Sequence, residues 1–223
     1  MINMKLNKKI YFFDKGIFNP YRMSNVELKV NQAVKENKIF FTEEEPWEIR
    51  FDNSYPNVFY DDLAGVFRCY YSTFTDDVES EKYSLEERKT RQYRPETSRI
   101  VSLCYAESKD GENWVKPNLG LTDFRGSKDN NIIGHFLHGT SVFLDKHESD
   151  ESRRYKMFTK IDYGNGVHFI AVAFSKDGIH FDEYIKVSNF NPRADTHNHI
   201  IYDETLNRYV LITRTWRDSL RLP

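Results

Sequence analysis

The segment NPRADTHNHI, residues 191–200, places Arg193, Asp195, His197, Asn198 and His199 directly ahead of a β-prone apolar run. That run holds Ile200 and Ile201 and returns from Tyr209 to Ile212. A strand that only fills a core has no use for so many hydrogen-bonding groups at its entrance, because each buried polar group must find a partner. A strand that opens onto a polar cavity does. His197 and His199 would join Asp195 on one face as metal ligands only if the strand extended back to residue 195. The chain has no Gly-rich phosphate loop and no G-x-S-x-G elbow, and neither a cofactor nor a bound metal is expected.

Such an entrance must be held by its neighbours, and internal repeats identify them. YPNVFYDDLAGVFRCYYS from Tyr55, GTSVFLDKHESDESRRYKMFT from Gly139 and HNHIIYDETLNRYVLITR from His197 share one pattern. Each has an apolar run ending in aspartate (Asp61, Asp145, Asp203), a polar turn, and a second run with Tyr or Phe near its start. Each reads as an antiparallel hairpin. Between them lie YAESKDGENW from Tyr105 and VAFSKDGIHF from Val172, where a strand enters Ser-Lys-Asp-Gly and leaves through Trp114 or Phe181. The Asp-Gly pair supplies the positive φ of a tight turn, so Asp110 and Asp177 read as structural. A hairpin plus an S-K-D-G hairpin makes a four-stranded antiparallel sheet, and such sheets in series are the blades of a β-propeller.

The expected fold is therefore all-β, with about two and a half blades of a propeller. The first blade covers about residues 46–134, the second about 135–190, and a third begins at about 191–223. Known propellers have roughly 4–8 blades. The expectation is thus a longer natural chain, a homo-oligomer, or pairing of the open sheet edge with missing blades. Residues 1–45 fall outside the repeat as an extended leader. A charged insert at 75–98 interrupts the first blade, either as a solvated excursion or as a lid; within it SLEERKTRQY reads as a short helix capped by Ser84 and Glu87.

Lys+Arg 32 against Asp+Glu 34 leaves no broad field for nucleic acid or an anionic membrane, so neither is an expected partner. Phe 17, Tyr 14 and Trp 3 suit both sheet packing and stacking on sugar C–H faces. Cys69 and Cys104 lie inside apparent strands without metal spacing and read as buried free thiols. No segment is long and apolar enough for a signal peptide or a membrane span. The chain reads as cytoplasmic, or as periplasmic or secreted if a leader has been removed.

PWEIRFDNSYPNVFYDDLAGVFRCYYS, YAESKDGENWVKPNLGLTDFRGSKDNNII, RYKMFTK and FSKDGIHF together resemble bacterial proteins grouped with the five-bladed β-propeller glycoside hydrolases, which include invertase-like and arabinanase- or xylosidase-like enzymes. The resemblance implies carboxylates delivered from successive blades to an axial funnel, and hence a glycosidase acting on a glycan or oligosaccharide. Glycosidic cleavage needs a protonated acid on the leaving oxygen and a second carboxylate across the ring. PRADTHN resembles the Arg-Asp-Pro segment of the invertase-like enzymes, with Ala194 intervening and Thr196 in place of the proline. It makes Asp195 a funnel carboxylate, the alternative being a turn cap.

Aligned repeats place Asn53 opposite Asp195, with Asp52 beside it as candidate nucleophile or base and Glu48 as its rival. Trp47 is either a stacking wall or a core side chain. The second blade's entrance, GHFLHGTS, offers His135 and His138 but no carboxylate; His138 either binds a hydroxyl or is a satisfied core residue. Arg193, His197 and Asn198 complete the candidate substrate-binding set. Arg214 and Arg217 hold an acidic sugar, orient a carboxylate, or form surface salt bridges. The general acid is not identifiable. The competing expectation is a non-catalytic carbohydrate-binding or scaffold protein that assembles through its sheet edge.

Overall fold

Short β-prone runs on either side of polar turns form the three repeat hairpins, and the turn aspartates cap the reversals. The computed structural model describes residues 31–51, 53–94, 99–164, 166–187, 193–217 and 220–222, with backbone alone for residues 216, 217, 221 and 222. By contact density the chain divides into residues 1–38 and 39–223. The described part of the first unit, 31–38, is exposed and has no regular structure. The described part of VELKVNQAVKENKIFF, residues 31–41, has no regular secondary structure.

In the second unit the first hairpin is β1 (Asn57–Asp61) with β2 (Val66–Asp77). The charged insert follows as α1 (Val78–Glu81) and α2 (Leu85–Thr90), then come β3 (Arg99–Ser108), β4 (Trp114–Val115) and β5 (Ile132–His135). These strands form one antiparallel sheet in the order β1-β2-β3-β4, with β5 pairing β3. A second sheet contains β6 (Leu137–Leu144), β7 (Tyr155–Asp162), β8 (His168–Ser175) and β9 (Ile185–Lys186), in that order. The third hairpin is β10 (His199–Asp203) with β11 (Arg208–Ile212), and β12 (Thr215–Arg217) pairs with β13 (Leu220–Leu222). The protein is all-β, with several antiparallel sheets, none of them closed.

The sheets pack in chain order. Tyr70, Leu103 and Tyr105 of the first sheet bury against Val142, Met157 and Ala173 of the second. Phe158 and Ile170 of the second bury with Ala194, against which Ile200 and Leu211 of the third hairpin pack. Polar contacts fix the registration: the Tyr70 hydroxyl donates to the Gly178 carbonyl at 2.8 Å, and the Val142 N–H donates to Asn57 Oδ1 at 2.7 Å. Cys69 and Cys104 are free and buried, and burial pushes the Cys69 thiol up to about 12.

Two local expectations change. The insert begins inside β2, which runs to Asp77, and Arg88 ties α2 down by donating to the Ile49 carbonyl at 2.6 Å and Glu43 at 3.0 Å. It is therefore anchored, not simply a solvated excursion. The helix start carries the full capping box, with Glu87 accepting from the Ser84 backbone at 2.8 Å and Ser84 Oγ accepting from the Glu87 N–H. In the second S-K-D-G piece, Phe181 lies outside a strand and packs on the core, and β9 starts later.

Both S-K-D-G aspartates organise their turns. Asp110 Oδ1 accepts from the N–H groups of Glu112 and Asn113 at 2.8 and 2.7 Å, and Asp177 Oδ1 does the same for Ile179 and His180, both at 2.8 Å. Backbone donors hold the Asp110 carboxyl far below the usual range; for Asp177 burial opposes the same donors and loses. Asp177→Ala is expected to lower the melting temperature. A thermal melt superimposable on wild type would refute the structural role.

Candidate functional site

The entrances of the three repeat hairpins converge on one polar cleft of about 470 Å³, with Asn53 and Tyr55 ahead of β1, His138 in β6, and Asp195 and Thr196 ahead of β10. Ser72, Arg99 and Arg214 also line it. The local backbone is unusual at the first and third of these entrances. Asn53, Tyr55 and Ala194 have positive φ (49°, 45° and 44°), a sparsely populated conformation for residues with a Cβ that persists only when neighbours enforce it.

At the third entrance the enforcing group is Asn198. Its side chain is fully buried: Nδ2 donates to the carbonyls of Gly139 and Thr196 at 3.1 and 3.2 Å, and Oδ1 accepts from Thr213 Oγ1 at 2.6 Å. Its N–H also donates to the Gly139 carbonyl at 2.7 Å, and the Ala194 N–H to the Arg214 carbonyl at 3.1 Å. The loop so pinned delivers Asp195 to the cleft. Arg214 Nε donates to Asp195 Oδ1 at 2.9 Å, and its Nη2 to the Asp195 carbonyl. Arg214 and Asp195 thus form a partly exposed ion pair at the cleft.

His138 lines the cleft, and its buried Nδ1 has no hydrogen-bond partner among the described residues. Burial, reinforced by Lys160, pushes its pKa down to about 4 against the pull of Asp162 and Asp195, so the ring is neutral near pH 7. Tyr55 meets His138 edge-on at 5.8 Å and stacks on His197 at 6.0 Å; His197 in turn stacks on His199 at 5.8 Å. His197 thus backs the Tyr55 ring and is not among the lining residues.

Several expected site residues serve the fold. Glu48 is buried outside the cleft, accepting from the Tyr71 hydroxyl at 2.6 Å, Lys116 Nζ at 2.8 Å and the N–H groups of Glu44 and Glu45. With its oxygens so engaged it is a structural carboxylate, not a nucleophile. Trp47 is no stacking wall: its indole donates to Asn131 Oδ1 at 2.7 Å and its ring packs on Phe124 in the first-sheet core. Asn198 is a loop pin and not a ligand contact. Arg193 is exposed and does not line the cleft. Asp52 and the insert residues 95–98 lie outside the described residues. His135 is held by Ser102 Oγ at 2.7 Å and by the Asp123 carbonyl at 2.9 Å.

Arg99 was not anticipated. It lines the cleft with its guanidinium over the Phe74 ring at 4.7 Å and meets no carboxylate among the described residues. Its place at the end of a mixed-charge insert gave no signal of this. Asp195 is the one carboxylate lining the cleft among the described residues. Among them no three His, Cys, Asp or Glu side chains gather as a metal site, and no helix is long and apolar enough to cross a membrane.

No family model matches the chain, and no curated protein does. Among solved structures the chain is similar to an N-acetylgalactosamine deacetylase from F. plautii in complex with blood group B trisaccharide, at 12% identity and a TM-score of 0.45. The match covers 71% of this chain and 44% of that one.

Proposed function

We propose that the cleft binds a sugar residue of a glycan, with Asp195 as its principal hydroxyl acceptor. The observation that carries this reading is the convergence of three repeat entrances on one polar cleft around an arginine-oriented carboxylate. Its volume lies within the range of small-ligand pockets, roughly 300–1,000 Å³. Its wall combines a carboxylate, two guanidinium groups, an imidazole nitrogen without a partner among the described residues, and the Tyr55 ring. That mixture suits a polyhydroxylated ring, which offers donors and acceptors around its edge and C–H groups on its faces. Arg99, with no carboxylate partner among the described residues, favours glycans that carry an acidic sugar.

Glycoside hydrolysis in a propeller is the second reading. The motif PRADTHN favours it. Two carboxylates are the minimum for that chemistry.

Calorimetric titration with neutral and acidic oligosaccharides, paired with an aryl-glycoside assay, tests both. Asp195→Asn keeps an oxygen for Arg214, so its melting curve should match wild type. Its affinity should fall by about ten-fold or more, as for loss of a charge-assisted hydrogen bond. Any turnover by the parent should vanish with it. Undiminished affinity in a folded variant would remove Asp195 from the site; binding without turnover would leave a binding protein.

A further inference from the structure

The cleft leaves one repeated feature unexplained, on the far side of each hairpin. In all three, one carboxylate oxygen of the terminal aspartate caps its own turn. Asp61 Oδ1 accepts from Leu63 and Ala64, Asp145 Oδ1 from His147, and Asp203 Oδ1 from Thr205 and Leu206. The second oxygen looks forward along the chain. Asp61 Oδ2 accepts from the Tyr155 hydroxyl of the second hairpin at 2.6 Å, and Asp145 Oδ2 from the Tyr209 hydroxyl of the third at 2.6 Å. The two tyrosines hold the same register position, opposite the residue before the aspartate: Leu144 faces Tyr155 and Tyr202 faces Tyr209. One rule thus governs both junctions. The aspartate of each hairpin takes a hydroxyl from the tyrosine of the next.

At Asp203 the rule has no second half among the described residues. Oδ2 has no hydrogen bond or ion pair, and the position that supplies Arg68 to Asp61 and Lys156 to Asp145 is Val210. The apolar packing stops at the same place. Tyr70 in β2 and Phe158 in β7 each bury against the following layer and are 0% and 4% exposed. Their register equivalent in β11, Ile212, is 55% exposed.

We infer that the face bearing Asp203, Val210 and Ile212 is a docking surface for a further β-hairpin of the same pattern. That hairpin brings a tyrosine hydroxyl to Asp203 and, two residues on, an apolar side chain to Ile212, as Met157 and Leu211 do at the earlier junctions. A second copy of this chain does not supply it. The first hairpin carries Phe67 at the tyrosine position, without a hydroxyl, and Tyr155 and Tyr209 are already engaged. The occupant is a β-hairpin whose tyrosine at that position is not already engaged. This inference is independent of what the cleft binds.

The test uses the full chain and a peptide of residues 199–212, closed by a flanking disulfide because an isolated hairpin is marginal in water. Binding is followed by amide chemical shifts. The peptide should move the signals of Asp203, Val210 and Ile212, and a peptide with Phe in place of Tyr209 should bind about ten-fold more weakly. On the Asp203→Asn protein, which keeps the turn cap, the two peptides should bind alike. Equal binding of both peptides to wild type, shifts centred elsewhere, or no binding would overturn the inference. So would light scattering showing that this face is closed by self-association.

Discussion

Gly139→Ala is expected to detach the third hairpin and destabilise the protein by about 2–5 kcal/mol. Gly139 sits in β6 at φ +58°, between His138 and Ser141, where the pairing with β7 shifts register. A Cβ there would lie 1.8 Å from the Thr196 carbonyl oxygen and 3.1 Å from Asn198 Nδ2. The oxygen is backbone, in a loop bonded to Gly139 itself, so it has nowhere cheap to go. The left-handed conformation costs an L-residue about 1–2 kcal/mol and forced overpacking about 1–3 more. Set against a typical domain stability of about 5–15 kcal/mol, the sum is large.

Gly65→Ala is the control: its φ is +69° with nothing within 4 Å of a new Cβ, so it carries the conformational term alone. Denaturant midpoints should fall far more for Gly139→Ala. Exchange of the Asn198 amide, which donates to the Gly139 carbonyl, should accelerate, and ligand affinity at the cleft should be lost. Equal midpoints for the two variants would show that the loop yields freely.

Features specified within a few residues were legible in the sequence. Repeated β-prone runs around polar turns predict the hairpins, Asp-Gly predicts both tight turns, and Ser84 with Glu87 predicts the start of α2, because each is a local conformational preference. Asp195 was singled out by the density of polar groups around it, and it does line the cleft. What sequence could not supply is the identity of distant partners. Glu48 and Asp195 are both carboxylates near apolar runs. Only the fold brings Tyr71 and Lys116 to the first, burying it, and sets the second beside Arg214 at the cleft. The same holds for Gly139, whose necessity lies in the approach of Thr196, and for the pairing of β5 with β3. Asn198 misled for a physical reason: an amide can satisfy several backbone groups at once, so a polar residue at a cleft entrance can belong wholly to the scaffold.

Asp61→Ala should be the most damaging surface-to-core truncation in the first hairpin, costing about 3–5 kcal/mol. Asp61 is fully buried; Arg68 Nε and the Tyr155 hydroxyl donate to one oxygen at 2.5 and 2.6 Å, and two turn amides to the other. Removing it strands the buried Arg68 guanidinium, which stacks over Tyr155 at 5.1 Å, and cuts the link between the first and second hairpins. Burial works to raise the Asp61 pKa, but the Tyr155 hydroxyl, the Ala64 N–H and Arg68 outweigh it and the net shift is downward. A carboxyl with a folded pKa below its unfolded value of about 4 stabilises the fold above that pH, and the contribution is lost as pH falls through the folded value. Asp145 shifts in the same direction: burial is opposed and overcome by Tyr209, the His147 N–H and Lys156. Wild-type stability should therefore fall as pH drops below about 4, and Asp61→Asn, uncharged throughout, should lose less over that window. Urea midpoints of both proteins measured from neutral to acid pH decide it. Parallel curves would mean that Asp61 does not carry the acid sensitivity, and a neutral-pH midpoint unchanged in Asp61→Ala would mean that Arg68 is stabilised by the tyrosine rings alone.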